Sequence, residues 1–138
     1  MAHVDRYVFD SYALIGYLEN EPFADRIQKL LLAARSNKAK LYLHAIHLGE
    51  IYYITCREQG SPMADLAFSR IKAFPITFID IIKTPLLLSA ANYKARYPIS
   101  YADAFAAAMA DQIQCPLLTG DPEFKKLEAD GCIAVHWL

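Results

Sequence analysis

Four carboxylates sit along this chain in settings that suit the chemistry of a hard cation. They are Asp10 in VFDSYAL, Glu50 in HLGEIYYI, Asp103 in ISYADAFAAAMA and Asp121 in PLLTGDPEF. Asp10 and Asp121 follow short apolar, β-forming runs. Glu50 and Asp103 fall where helical patterns open, each in an expected first turn. If the strands are parallel, strand ends and helix starts share one edge of the sheet, and the four acids meet there. Carboxylates so gathered repel: two unit charges about 4 Å apart cost about 4 kcal/mol at an effective dielectric of about 20. A fold gathers them only with bound protons or a cation. An all-oxygen donor set favours Mg²⁺ or Mn²⁺. One such ion lowers the pKa of a water nucleophile, and a second stabilises a leaving oxygen.

Each acid also has a plainer use. Asp10 could cap the helix after it, and Asp121 before Pro122 is a good N-cap. Ser100 with Asp103 three residues on resembles a capping box, although Asp reaches back less well than Glu or Gln. Glu50 could be a solvated acid in its first turn, since His47 is a poor cap. The alanines after Asp103 (Ala104, Ala106, Ala107, Ala108 and Ala110, with Ala102 before it) let that helix lie close to the sheet. Close packing would bring Asp103 within reach of an ion shared with Asp10 and Asp121. Ser100 can cap the helix without competing for that role.

The elements that must position these acids alternate. Strands are expected at Arg6 to Phe9, Leu41 to Ile46, Pro75 to Ile82, Pro116 to Thr119 and Cys132 to Val135. Helices are expected over Ser11 to Glu19 and from Pro22 to about Arg35, with Ala13, Leu14, Tyr17 and Leu18 on one face of the first. Others run from about Leu48 to Gln59, ended by Gly60, and onward from Pro62 with Ser61 as cap. The last three open at Thr84, Ser100 and Pro122, and Gly131 ends the final one. This order implies βαβ units and a parallel sheet covered on both faces, an α/β class fold.

The totals agree with one globular domain over residues 1–138. The chain has 138 residues, is 55% hydrophobic and carries a net charge of −1, so no global basic field points to nucleic acid. Cys56, Cys115 and Cys132 are three scattered cysteines without a CxxC, read as free thiols of a reducing cytoplasm. The opening MAHVDRYVFD lacks the apolar core of a signal peptide, and no run is long enough to span a bilayer. Surplus apolar residues such as Phe23, Leu32, Ile51 and Tyr53 leave room for a dimer face.

The ordered set of acids resembles the PIN-domain family, in particular the small VapC-type toxins of bacterial and archaeal toxin–antitoxin pairs. The resemblance spans essentially the whole chain, with the last two acids eighteen positions apart. It implies a three-layer α/β/α sandwich with a central parallel sheet. It also implies a Mg²⁺- or Mn²⁺-dependent endoribonuclease in which Asp10, Glu50, Asp103 and Asp121 hold the metal and act in catalysis. Ser11 and Thr119 would support them. A homodimer and inhibition by a small antitoxin whose tail reaches the acidic site are further implications, with RNA as substrate.

The family often has Ser or Thr near the middle Glu, where this chain has His44 and His47. A surface or supporting histidine is expected rather than a mixed nitrogen–oxygen site of His47 with Glu50. Lys38, Lys40, Arg57, Lys94 and Arg96 are local candidates for an RNA backbone, or simply solvated charge. Tyr52, Tyr53 and Tyr101 flank the acids and read as packing residues before base-stacking ones. Two other functions compete. A haloacid-dehalogenase-type phosphatase would use Asp10 as nucleophile, but it wants a second Asp where Tyr12 stands. A binding module would hold a structural ion or a basic peptide on the same acids without catalysis. The number of ions, the RNA and the antitoxin stay open at this point.

Overall fold

The structure, a computed structural model, describes residues 4–138; the first three residues of the MAHVDRYVFD stretch lie outside it. In chain order the elements are β1 (Asp5–Phe9), α1 (Ser11–Leu18), α2 (Ala24–Arg35), β2 (Ala39–His44), α3 (Ala45–Gln59) and α4 (Ser61–Lys72). There follow β3 (Thr77–Ile79), α5 (Thr84–Arg96), α6 (Tyr101–Ile113), β4 (Leu117–Thr119), a 3-10 turn (Pro122–Phe124), α7 (Lys125–Ala129) and β5 (Val135–Trp137).

The five strands form one parallel sheet in the order β3-β2-β1-β4-β5. Parallel strands need crossovers, and helices supply them on both faces. Successive strand residues point to opposite faces, and the core divides accordingly. Val8, Tyr42 and Leu117 face the layer of α5, α6 and α7, packing with Ala90, Tyr93, Phe105 and Leu127. Phe9, Leu41, Leu43 and Leu118 face the layer of α1 to α4, packing with Leu14, Ile27, Ile51 and Ile71. The result is the expected three-layer α/β/α sandwich.

Helix α6 is the most enclosed element. Ala104, Ala106, Ala107 and Ala108 are fully buried, and Ala110 and Met109 nearly so. A helix apolar on all sides belongs inside, and small side chains let it approach its neighbours closely.

Several boundaries differ from those the sequence pattern predicts, each for a local reason. Strand β2 stops at His44 instead of Ile46, because the His44 imidazole caps α3: its Nδ1 accepts from the Ile46 N–H at 3.1 Å. Helix α3 therefore begins at Ala45, and Glu50 lies in its second turn, not its first. Ser61 does not cap α4; Gly60, at φ +91°, ends α3 and occupies the cap position of α4. A positive φ suits glycine, so the chain reverses in one residue. Pro22 lies in the turn before α2 rather than in its first turn, since that turn folds back with Glu21 N–H bonded to the Gly16 carbonyl. Strand β3 is shorter than Pro75 to Ile82 and pairs only with β2, at the sheet edge. Strand β5 falls at Val135–Trp137 and not at Cys132 to Val135, because its register sets Val135 against Leu117.

Candidate active site

The strand order reverses direction at β1, whose neighbours are β2 on one side and β4 on the other. In open α/β sheets the crevice beyond the carboxyl ends at such a switch point is where ligands bind. Asp10 leaves β1 there, and Asp121 follows β4. Thr119, fully buried at the end of β4, links the two. Its hydroxyl donates to Asp10 Oδ2 at 2.6 Å and accepts from the Asp121 N–H at 3.0 Å. Asp10 also caps α1, its Oδ1 accepting from the Ala13 N–H at 3.0 Å. Asp121 caps the 3-10 turn through the Glu123 N–H at 2.9 Å. The capping roles therefore hold, and each cap fixes a carboxylate at the crevice.

The helices bring the remaining acids. Ser100 caps α6 by accepting from the Asp103 N–H at 3.0 Å, which leaves the Asp103 carboxylate in the first turn, turned to the crevice. Glu50 reaches the same cleft from α3 and accepts a hydrogen bond from the Ser11 hydroxyl. The tightest group is Asp103, Asp121 and Glu123, with one carboxylate oxygen of each within 4.8 Å of the others. Asp10 and Glu50 join no group that tight among the described residues. Glu123 is a site residue that the pattern of acids at strand ends and helix starts does not single out. Its signal is the acid two residues after Asp121 in GDPEF, the residue whose N–H a capping Asp121 draws in.

Proton affinities reflect this crowding. Burial pushes the Asp103 carboxyl up to about 9, helped by a hydrogen bond shared with Glu123 and by the charges of Asp121, Glu123 and Asp10. Every charged group acting on it is an acid. Burial likewise raises Asp10 to about 7, against the opposing hydrogen bonds of Thr119 and Ala13, with Asp121 and Glu50 adding to the rise. Crowded carboxylates, buried at Asp10 and Asp103, half-buried at Asp121 and exposed at Glu123, offer hard oxygen donors of the kind a divalent ion takes.

Glu50, Asp103 and Asp121 open onto a cleft of about 420 Å³ whose walls also include Ser11, Tyr12 and Phe23. The two histidines are not on the surface. His44 is buried; because its Nδ1 is an acceptor, its Nε2–H donates to the Ile81 carbonyl at 3.1 Å. His47 is also buried, and its Nε2–H donates to the Ala102 carbonyl at 2.8 Å, tying α3 to the first turn of α6 beside Asp103. Burial holds His47 neutral, at about 4. Its Nδ1 has no partner, and no group of metal-binding type among the described residues includes it.

The tyrosines flanking the acids in sequence line other surfaces. Tyr52 donates to Asp65 at 2.7 Å and meets Phe68 edge-on, whereas Tyr101 packs on Phe105. Tyr53 is exposed under Arg57. Of the basic candidates, Lys40 lies over Tyr42, Arg96 over Tyr93 and Tyr97, and Lys94 donates to the Ile99 carbonyl at 2.7 Å.

Comparison with known proteins agrees with this fold. The model of the PIN domain matches residues 7–130. The chain belongs to the PIN-domain family. Solved structures share the fold. VapBC2 from Rickettsia felis, bound to a promoter DNA fragment, superposes with a TM-score of 0.74 at 14% identity, covering 95% of this chain and 97% of that one. DNA-bound VapBC from Salmonella typhimurium gives 0.73 at 14% identity, over 96% and 97%. The sarcin–ricin loop cleaving toxin VapC20 from Mycobacterium tuberculosis gives 0.66 at 15% identity, over 95% and 98%. At these identities the likeness is one of fold. No protein of curated function matches the sequence.

Proposed function

We propose that this PIN domain is a divalent-metal-dependent endoribonuclease and the toxin of a toxin–antitoxin pair. The observation that carries the reading is the grouping of Asp103, Asp121 and Glu123 at the switch point, with Asp10 held beside them by Thr119. Asp10, Glu50, Asp103 and Asp121, with Glu123 added, would hold Mg²⁺ or Mn²⁺. Such an ion, when bound, neutralises the acids and polarises phosphate oxygens.

The protein's own groups do the positioning. Thr119 orients Asp10 and the Asp121 backbone together. Ser11 fixes Glu50, and Ser100 fixes the turn that carries Asp103. A phosphodiester entering the open cleft meets these groups from one side, which suits a chain threaded through an open groove. A similar fold from Klebsiella pneumoniae, named as a toxin–antitoxin complex, supports an antitoxin partner. Exposed apolar residues Ile81, Ile82, Leu87 and Leu88 support a homodimer face. The four residues that the sequence offers for that face fare unevenly: Ile51 is buried in the core and Phe23 is half-buried, while Leu32 and Tyr53 are exposed. No helix among the described residues is long and apolar enough to cross a membrane, and Cys56, Cys115 and Cys132 are free thiols.

The deciding experiment is cleavage of a labelled RNA pool by the purified protein with Mg²⁺ or Mn²⁺, with and without chelator. Chelator-sensitive cleavage, lost in Asp103→Asn while circular dichroism stays unchanged, is the expected result. Full cleavage by that variant overturns the assignment. Metal binding without cleavage of any RNA favours the binding module that uses the same acids.

A further inference from the structure

The acid cleft has a second, aromatic wall. Tyr12 is 42% exposed and stacks on Phe23, with ring centroids 5.7 Å apart and planes at 21°. Both rings line the same cleft as Ser11, Glu50, Asp103 and Asp121. Two glycines make room for them. A Cβ on Gly120 would stand 2.5 Å from Tyr12 Cε1, so the Tyr12 ring lies directly on the turn that carries Asp121. A Cβ on Gly16 would stand 2.1 Å from Phe23 Cζ. Side chains larger than hydrogen at either position would push the rings from where they sit. The cleft thus joins the acids Glu50, Asp103 and Asp121 to the rings of Tyr12 and Phe23, with Ile15, Ile54, Glu19 and Glu21 completing its walls.

We propose that Tyr12, backed by Phe23, is a base-stacking subsite that seats the nucleobase next to the phosphate held at the acids. This rests on the nuclease reading and adds to it the residue that selects what lies beside the cut. A nucleotide is the ligand whose two ends match the two walls: an anionic phosphate that a cation can bridge to carboxylates, and a planar ring that stacks on tyrosine. Stacking tolerates any base but favours larger π-faces, so purines gain more than pyrimidines. Tyr12 sits two residues after Asp10 at the start of α1, and that short link keeps the ring at a fixed distance from the acids.

The test measures nucleotide binding apart from cleavage. Calorimetry with Mg²⁺ compares AMP, GMP, CMP and UMP with ribose 5-phosphate, on the whole protein and on Tyr12→Phe and Tyr12→Leu. The expected result is that AMP and GMP bind about ten-fold or more tighter than ribose 5-phosphate, the order of effect that one stacked base supplies. Tyr12→Phe keeps that preference, and Tyr12→Leu loses it with an unchanged circular dichroism spectrum. Equal binding of AMP and ribose 5-phosphate overturns the subsite, as does a Tyr12→Leu protein that keeps the base preference. Tighter binding of an arginine-containing aromatic peptide than of any nucleotide, competing at Tyr12, assigns the wall to a protein and also overturns it. Base-dependent binding without RNA cleavage would leave the subsite standing while removing the nuclease reading. Metal-dependent cleavage by a protein blind to the base would do the reverse.

Discussion

Thr119 shows how one side chain organises a site. Its hydroxyl gives its proton to Asp10 and a lone pair to the Asp121 N–H, at 2.6 and 3.0 Å, in a fully buried position. Thr119→Val keeps the shape and removes both bonds. Leaving buried partners unsatisfied costs about 1–3 kcal/mol, so the urea midpoint should fall, and Thr119→Ser should recover most of the loss. Asp103 illustrates the opposite balance. Its folded-state pKa lies above its ordinary value, so without a cation folding near neutral pH must take up a proton that the unfolded chain does not hold. Asp103→Asn is therefore expected to raise the thermal midpoint of the metal-free protein at pH 8 while abolishing cleavage. Calorimetry on the two proteins in chelator checks the first half; a lowered midpoint would show that the carboxylate is not strained by its neighbours.

Helix α6 is where composition and packing meet. Its alanines from Ala104 to Ala110 are buried, between α5, α3 and the sheet. Adding methylenes there forces neighbours off their rotamers, typically at about 1–3 kcal/mol. Ala107→Leu is expected to destabilise by that order in urea unfolding, and to weaken Mg²⁺ binding by shifting the first turn that carries Asp103. Helix α3 reaches the same turn from the other side. Its His47 donates to the Ala102 carbonyl, so the two acid-bearing helices are joined by a part-buried hydrogen bond. The helical pattern alone puts Glu50 at the opening of α3. In the fold it lies in the second turn, because a polar side chain at the strand end, His44, caps the helix early.

Across the whole molecule, the gathered acids couple stability to pH and metal. Asp10 and Asp103 have folded-state values of about 7 and about 9, both above the ordinary 3.8. The folded protein therefore binds their protons more tightly than the unfolded chain does. Their contribution to stability is fully present below the unfolded value and is lost as pH rises through the folded values. In chelator, the thermal midpoint should fall between pH 4 and 9 more steeply for the natural protein than for the Asp10→Asn, Asp103→Asn double variant. A divalent ion replaces those protons, so the midpoint gain from millimolar Mg²⁺ should grow with pH. Equal slopes for the two proteins would remove the coupling. The exposed Ile81, Ile82, Leu87 and Leu88 lead to a separate expectation. The protein should sediment as a dimer, and Ile81→Glu with Leu88→Glu should yield a folded monomer.

Much of this is legible in the order of residues. Alternating strand and helix signals specify a parallel sheet, since period and turn chemistry are local properties. The acids at strand ends and helix starts then share an edge whatever the packing details, and VFDSYAL, ISYADAFAAAMA and PLLTGDPEF can be singled out by type and place. Helix caps are legible where Ser or Asp stands at the boundary, as at Ser100, and hidden where His44 takes the role. Only the tertiary structure decided which acids crowd closest, because distances between α6 and the turn after β4 depend on how a helix of alanines settles against the sheet. That settling joined Glu123 to Asp103 and Asp121 and left Asp10 and Glu50 outside the tightest group. The packing of the other helices set Tyr52 and Tyr53 on other surfaces and put Tyr12 in the cleft. Chemistry and order are written residue by residue, whereas proximity between distant residues is a property of the packed chain.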